Sequence, residues 1–310
     1  MDYTLTTLLA NIRRRGSIPN TAVPGTQDSD LIALTNDVLQ LKLAARLIRV
    51  REGYLRQTVD VALGSSTRYR IPTRALGNKL AAVMLLDAAG NVLAKLDEIP
   101  YGRLREFYST SGTAGYTFEA GSLVLVPSNP ISTATTIRFV YYARPSQLTS
   151  TSSDYYAVTA VDTSTGEITI GAHTITTSTK IDIIKATPPF EPVALSSLAT
   201  AAGATTITVS TTLAARVEVG DYVCLEDKSP LAQVPGELYP LLAHLVAMEV
   251  LQAIGDRENH ARLAETLPGL EKECMDLISP RNEEGAKKIM SSSGALGSVG
   301  GPWRRRYQGN

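Results

Sequence analysis

DSDLIALTNDVLQLKLAARLIRVREGYL, residues 28–55, carries the strongest periodic pattern in the chain. Its apolar residues recur at steps of three and four, the spacing of one helix face. They are Leu31, Leu34, Val38, Leu41, Ala45 and Ile48. A second row beside them comprises Leu39, Leu43, Leu47, Val50 and Tyr54. The pattern predicts a helix over about residues 29–57, with an apolar arc so wide that it must be covered on more than one side.

A shorter amphipathic helix is predicted upstream, over residues 4–15. Leu5, Leu8, Leu9 and Ile12 recur at helical spacing, and Gly16 follows as a stop signal. Three arginines, residues 13–15, fall in the last turn, where cations interact favourably with the helix dipole. We favour that interpretation over a nucleic-acid patch, because charge runs at helix ends are usually solvated.

The pattern changes to strands after residue 57. Between residues 58 and 145 the strand candidates are TVDVAL, YRIP, AAVMLLD, NVLAKLD, SLVLVP and TIRFVYYARP. A second β-rich stretch, about 151–234, offers YYAVTAVD, EITIGA, HTITTS, KIDIIKA, TTITVS and DYVCLED. DAAGN at 87–91 predicts a hairpin turn, and PSNPIS at 127–132 separates two strands. DTSTGE at 162–167 predicts a strand-connecting turn rather than a calcium loop, because the later carboxylate ligands are missing.

Helical spacing returns after Pro235, which with Glu237 suits a helix start. The first apolar stripe of this region consists of Leu238, Leu241, Leu242, Leu245 and Met248. A further helix over about 256–278 places Leu263, Leu267, Leu270, Cys274 and Leu277 on one face. Pro268 lies inside it and predicts a kink or a split.

The order of elements predicts an α+β fold. Neither helix pair can bury its apolar arc alone, so the simplest solution is a helical bundle formed by the N- and C-terminal helices, with one large or two small inserted β domains and an extended C-terminal arm. The predicted segments are 1–57, 58–150, 151–234, 235–280 and 281–310. For packing within the core or between subunits we expect Leu31, Leu34, Val38, Leu41, Ile48, Leu241, Leu245, Leu263 and Leu267.

Composition excludes several classes of protein. Lysine plus arginine equals aspartate plus glutamate, at 30 each, which argues against a protein whose main task is coating nucleic acid. Two cysteines, Cys224 and Cys274, lie far apart and imply no disulfide framework, which fits a reducing cytosol. No run of about 18 apolar residues occurs, so we expect no membrane span.

Sequence motifs for chemistry are missing. The chain has no G-x-S-x-G, no H-E-x-x-H and no Walker A loop. Its three histidines, His173, His244 and His260, do not stand at metal-ligand spacings with a carboxylate or cysteine. We interpret His244 as a core-edge or interface residue and Cys224 as a small buried one. We therefore expect no catalytic residue, no cofactor and no metal, and a structural or interaction protein is favoured.

The C-terminal segment combines a Gly/Ser-rich tether with contact-capable residues. Residues 285–310 contain five basic residues and no acidic ones, and the only tryptophan of the chain lies here. Three interpretations are open: a solvated end, a nucleic-acid arm and a partner-docking peptide. We favour docking, led by Trp303, Arg304, Arg305, Arg306 and Tyr307, because Trp, Tyr and Arg are enriched at interface hot spots.

Three segments resemble the head-to-tail adaptor proteins of tailed bacteriophages, also called connector or head-completion proteins. They are the long Leu- and Arg-rich helix 28–55, the segment YTFEAGSLVLVPSNPISTATTIRFVYYARPSQL at 116–148, and SPLAQVPGELYPLLAHLVAMEVLQAIGDRENHARL at 229–263. The resemblance covers most of residues 1–280. The second β stretch departs from the smaller members, which have a single β insertion.

The resemblance implies a virion structural protein at the head-tail junction, made in the host bacterial cytoplasm. Such adaptors form a homo-oligomeric, typically dodecameric, ring beneath the portal protein. They extend the DNA channel, which DNA passes without sequence-specific binding, and they offer a platform to the next tail or neck protein. The C-terminal arm commonly reaches the portal. Two alternatives stay open: another neck or tail ring component such as a tail terminator, and a carbohydrate-binding, fibre-like module built on the β region.

Overall fold

The computed structural model describes residues 3–18, 25–64, 66–104, 115–126 and 133–279. Helices and several β-sheets are both present, so the fold is α+β, as predicted. The described residues all belong to one compact unit, which ends at Ser279. The predicted arm 281–310 and the separator 127–132 lie outside the described residues.

The predicted N-terminal helix is α1, Leu5–Gly16. The side chain of Thr4 caps it by accepting a hydrogen bond from the backbone N–H of Thr7 at 3.4 Å. Ser17 follows in the left-handed conformation and ends it. The arginine triplet lies in the last turn, and Arg13 also pairs with Asp28 at 2.6 Å, which joins α1 to the next helix.

The long helix consists of three parts: α2 (Asp28–Asp37), a π-helical turn (Val38–Leu43) and α3 (Ala44–Val50). It ends at Val50, so the predicted end near residue 57 is wrong. The chain turns at residues 51–55 and enters the first strand at Arg56, because Gly53 favours the turn and the residues after it alternate as a strand does. The core-facing residues of the long helix include a row at intervals of four, Leu31, Thr35, Leu39, Leu43 and Leu47, and Val38 and Ala44 are buried beside it.

The C-terminal helices are α5 (Tyr239–Ile254) and α6 (Arg257–Ile278), and a short helix, α4 (Thr211–Ala214), precedes them. Gly255 adopts a left-handed conformation (φ +78°) and ends α5. Of the two outcomes predicted for Pro268, the split of the last helix is wrong, since α6 runs through it. Pro268 is exposed, so its ring displaces no core neighbour.

Helix α5 is apolar almost all round. With its preceding turn it spans Gly236–Ile254, which by length and composition alone could cross a membrane. However, 61% of its most apolar stretch is buried inside the protein. Its residues Leu241, Leu242, Val246 and Val250 are fully buried in a core cluster. We therefore interpret α5 as the central helix of this core.

The largest hydrophobic cluster contains residues from both ends of the described chain. Leu8 and Ile12 of α1, Leu39 and Leu43 of the long helix and Leu242 of α5 belong to it. An aromatic group extends the cluster: the ring of Tyr3 lies 4.8 Å from Tyr239 and 5.4 Å from Phe190. Gly236 permits this approach, because a Cβ there would lie 2.5 Å from the Tyr3 hydroxyl.

The first β region forms a seven-stranded sheet in the order β1-β7-β3-β4-β5-β6-β2. Its strands are β1 (Arg56–Ala62), β2 (Arg68–Arg70), β3 (Ala75–Leu86), β4 (Val92–Glu98), β5 (Gly115–Glu119), β6 (Ser122–Val126) and β7 (Thr136–Ala143). All described pairs are antiparallel except β4 with β5. The predicted turn DAAGN joins β3 to β4, and Asp87 accepts hydrogen bonds from the backbones of Ala89 and Asn91. A second cluster, centred on Val83, Leu85 and Phe139, packs on this sheet.

The second β region forms two four-stranded sheets, β10-β11-β15-β14 and β13-β12-β16-β9, and a parallel pair, β17-β8, joins it to the segment after β7. The strands are β8 (Gln147–Leu148), β9 (Tyr155–Ala157), β10 (Ala160–Asp162), β11 (Glu167–Thr169), β12 (Lys180–Ile184), β13 (Pro192–Leu198), β14 (Ala201–Ala202), β15 (Thr206–Thr208), β16 (Tyr222–Leu225) and β17 (Lys228–Ser229). A third cluster, with Ile168, Ile183 and Val223, lies between their faces.

Two sequence predictions in this region have opposite outcomes. The segment 162–167 is the turn between β10 and β11, and the Asp162 carboxylate accepts hydrogen bonds from Ser164 and Thr165 instead of facing a cation. These bonds lower the pKa of Asp162 to about 2. The strand predicted for HTITTS, 173–178, is wrong, because Thr176 and Thr179 bond to each other across a turn with Ser178 at φ +69°.

A buried guanidinium joins the two β regions. Arg74, just before β3, is only 6% exposed, and its Nη1 pairs with Asp227 and, at 3.3 Å, with Asp182. Its Nη2 donates to the Ser146 hydroxyl at 2.8 Å and to the Arg144 carbonyl at 3.0 Å. The Asp182 carboxylate also accepts bonds from the backbone N–H groups of residues 196 and 227, at 2.8 and 3.0 Å. Burial raises the pKa of Asp182, and Arg74 with these donors opposes that rise.

Replacing Arg74 tests how much of the fold depends on this pair. Arg74→Met leaves the fully buried Asp182 without its counter-charge, and we expect the free energy of unfolding to fall by about 3–5 kcal/mol. Urea denaturation followed by circular dichroism measures it. The matched control is Arg138→Met, which removes an exposed pair with Asp60 and should cost at most about 1 kcal/mol. Equal losses in the two variants would contradict a central role for Arg74.

Candidate functional site

A groove of about 730 Å³ runs between the outer face of the long helix and the first sheet. The helix contributes Gln40, Leu41, Ala45, Ile48 and Arg49. Strand β3 contributes Leu76, Gly77 and Lys79, β7 contributes Tyr142, and Arg144 follows β7. We call this surface the Leu41 groove. Its volume lies within the range of sites that hold ligands or side chains of partners.

The floor of the Leu41 groove is apolar because the π-helical turn changes which residues face the core. Residues 31, 35, 39, 43 and 47 follow each other at intervals of four, and a regular α-helix would rotate such a row off one face. A π-helical turn takes more residues per turn and keeps the row in the core. Leu41 is thereby left outside, 74% exposed, and Ala45 is also exposed.

The opposite wall comes from an irregular start of β3. Ala75 pairs with Ala143 of β7, but the next regular pair is Leu80 with Tyr141, so the strand bulges between them. Gly77 adopts φ +60° and Asn78 φ +55° within this bulge. Glycine suits such a left-handed position, since it has no Cβ to clash. The bulge brings Leu76 and Lys79 to the groove instead of continuing the ladder.

The rim of the groove is basic. Arg49, Lys79 and Arg144 line it, and its lining includes no acidic residue. None of these three side chains forms an ion pair within the described residues. An apolar floor with an unpaired basic rim suits an apolar partner segment that carries carboxylates.

Hydrogen bonds hold the two walls together. The Gln40 side chain donates to the carbonyl of Pro145 at 3.2 Å. Asn36 donates to the Leu148 carbonyl at 3.2 Å and accepts from its N–H at 2.7 Å. The long helix is therefore fixed to the segment that leaves β7, and the groove is preformed.

The structure distributes the predicted packing residues among different environments. In the largest core cluster lie Leu31, Val38, Leu241, Leu245 and Leu263. Leu34, Ile48 and Leu267 are partly buried against that cluster. Leu41 is the exception, because the π-helical turn directs it to the groove. The predicted arm residues Trp303, Arg304, Arg305, Arg306 and Tyr307 lie outside the described residues.

Nothing in the described residues assembles a reactive site. His244 is buried, and its Nε2 lies 2.9 Å from the Leu263 carbonyl, so it serves as a core contact. Cys224 is fully buried, and burial raises the pKa of its thiol well above the ordinary value. His173 bonds to the carbonyl of Thr206 at 3.2 Å. Within the described ranges no group of three metal-ligating side chains could hold an ion.

A model of the family described as SU10 adaptor protein matches residues 3–165. The chain belongs to this adaptor family. The match spans α1, the long helix and the seven-stranded sheet, and therefore both walls of the Leu41 groove. No protein with a curated description matches the chain.

Membership identifies the chain as a phage head-to-tail adaptor, a structural component of the virion that contacts other head and tail proteins. This family is not known for enzymatic activity. The sequence suggested the adaptor family, but it did not indicate the groove. The π-helical turn and the bulge of β3 that form the groove have no simple sequence signal beyond the four-residue repeat and the Gly77-Asn78 pair.

The buried His244 predicts a pH dependence of the adaptor's stability. Burial lowers its pKa in the folded protein, whereas the unfolded value is about 6.5. As pH falls below about 6.5 the unfolded chain binds the proton first, so stability decreases until the folded pKa is reached, by at most about 1.4 kcal/mol per pH unit for one proton. Denaturation curves between pH 7.5 and 5 should show a smaller decrease for His244→Gln. Identical pH profiles for the two proteins would contradict this.

Proposed function

We propose that this adaptor forms a homo-oligomeric, dodecameric ring beneath the portal protein of the virion, extends the DNA channel and presents a platform to the next tail or neck protein. The observation that carries the proposal is Leu41. It is highly exposed in a preformed groove, in the part of the chain that the adaptor family covers. A subunit contact at this groove would remove Leu41 from water.

The energy available from such a contact supports assembly. Full burial of one leucine side chain contributes about 1.5–3 kcal/mol, and Ala45 with the exposed part of Ile48 adds to it. In a ring every pair of neighbouring subunits forms the same contact. A modest free energy per contact is therefore repeated around the closed assembly.

For the arrangement of the subunit we propose a helical body built from residues 1–57 and 235–280, with 58–150 and 151–234 as inserted β domains. The hydrophobic clusters support this division, since the helices share one cluster, to which Leu148 and Phe190 also contribute, and each β region has a cluster of its own.

We also propose that residues 281–310 are the portal-docking arm, with Trp303 and Arg304, Arg305 and Arg306 as its anchors. The composition of the segment supports this role. It carries the only tryptophan of the chain next to three arginines, on a tether rich in glycine and serine.

Leu41→Glu tests the role of the groove in assembly. A carboxylate at the centre of the buried contact should reduce self-association at least tenfold, while the subunit stays folded because residue 41 is outside the core. Native mass spectrometry and light scattering, with and without portal, measure the state of assembly. Leu198→Glu is the control, since Leu198 is also more than half exposed but lies outside the groove. Normal rings from Leu41→Glu would refute a subunit contact here.

Deleting residues 295–310 tests the arm. We expect a folded subunit that still self-associates but no longer attaches to portal-containing heads. The measurement is the occupancy of adaptor on purified heads by quantitative gel analysis. Attachment of the truncated chain at wild-type occupancy would disprove the docking role.

A further inference from the structure

The end of α6 carries a second exposed apolar residue that matches the Leu41 groove. Leu277 is 67% exposed, and together with Leu41 it is one of two large apolar side chains in the long helix, α1, α5 and α6 that are more than half exposed. Glu273 lies one turn before Leu277 on the same face, and Asp276 adjoins it. Neither carboxylate forms an ion pair within the described part of the chain.

We infer that the Leu277 patch of one adaptor subunit, Glu273, Asp276 and Leu277, docks into the Leu41 groove of the neighbouring copy. This inference rests on the proposed assembly and names the surface that fills its groove. Leu277 would enter the apolar floor, as an amphipathic helix places its anchor in a groove. Its two carboxylates would meet the unpaired basic rim.

Charge complementarity supports this occupant. The rim offers Arg49, Lys79 and Arg144 with no acidic residue among the lining, and the patch offers two carboxylates beside its leucine. None of these groups forms an ion pair within the described residues, although Glu273 also lines a cleft with Arg14, Arg15 and Arg262 of its own subunit. Such charged groups around an apolar centre fix the orientation of partners and reject like-charged surfaces.

Two other exposed apolar residues, Val219 and Val92, fit less well. Val219 is 68% exposed, but its acidic neighbours Glu218 and Asp221 already pair with Lys185 at 3.0 and 3.2 Å. Val92 lies beside the β3–β4 turn, whose Asp87 carboxylate is occupied by hydrogen bonds within that turn. At the end of α6 the carboxylates are still available to a partner.

The two surfaces belong to different elements of the subunit. The long helix and β3 line the Leu41 groove, whereas Leu277 lies near the end of α6, which pairs with the long helix through Glu271 and Arg46 at 3.0 Å. A contact between two different surfaces of identical subunits is heterologous, and it closes into a ring when the rotation between neighbours allows it.

Cysteine cross-linking of mixed subunits tests the inference. Full-length Leu41→Cys and Leu277→Cys variants are prepared separately, mixed under assembly conditions and oxidised. We expect a covalent dimer at a level at least tenfold higher in the mixture than in either variant alone. The wild-type chain is the control for its own cysteines, Cys224 and Cys274, which are both buried.

The outcomes separate this inference from the proposed ring. Cross-linking of Leu41→Cys with itself would mean that groove faces groove, and it would overturn the inference. Normal assembly of the mixture without a cross-link would also overturn it, while leaving the ring intact. Failure of the wild-type chain to assemble with or without portal would refute both.

A charge exchange provides a second measurement that needs no oxidation. Lys79→Glu should weaken self-association, and addition of Glu273→Lys in the same chain should restore it, because every contact in a heterologous ring then carries the exchanged pair. Analytical ultracentrifugation at low ionic strength measures this. If Lys79→Glu weakens assembly and the added Glu273→Lys does not restore it, Lys79 does not pair with Glu273 of the neighbouring subunit.

Discussion

The buried charge of Arg74 is the constraint on which the arrangement of this adaptor depends. A guanidinium taken out of water is tolerated only with counter-charges and acceptors around it. Arg74 finds them in both β regions, Asp182 and Asp227 in the second and the Arg144 carbonyl in the first. The pair therefore fixes the start of β3 and the segment that leaves β7 against the second β region. These same segments form one wall of the Leu41 groove.

The other wall depends on a local departure from α-helical geometry. The four-residue repeat of core residues in the long helix is incompatible with a regular α-helix over its whole length, and the π-helical turn accommodates it. The consequence for function is that Leu41 faces outward although it stands in an apolar row. A packing requirement inside the subunit thus creates the surface through which, in our proposal, subunits meet.

In our proposal the adaptor works through its surfaces. His244 and Cys224 lie in the interior, where His244 bonds to a backbone carbonyl and Cys224 is fully buried. The Leu41 groove instead combines apolar area with unpaired charge. In our proposal this combination gives a subunit contact its affinity through burial and its orientation through electrostatics.

The sequence by itself determined the class of elements, their order and the adaptor family. Periodicity is a local property, so the helices, the turns at DAAGN and DTSTGE and most of the strands followed from it. Only the tertiary structure decided that the long helix ends at Val50, that α6 continues through Pro268 and that HTITTS forms a turn. It also decided that Leu41 is outside and Leu39 inside, because the choice between two adjacent apolar rows depends on what packs against them. Arg74 and its carboxylates lie more than 100 residues apart in the chain, so only folding could bring them together.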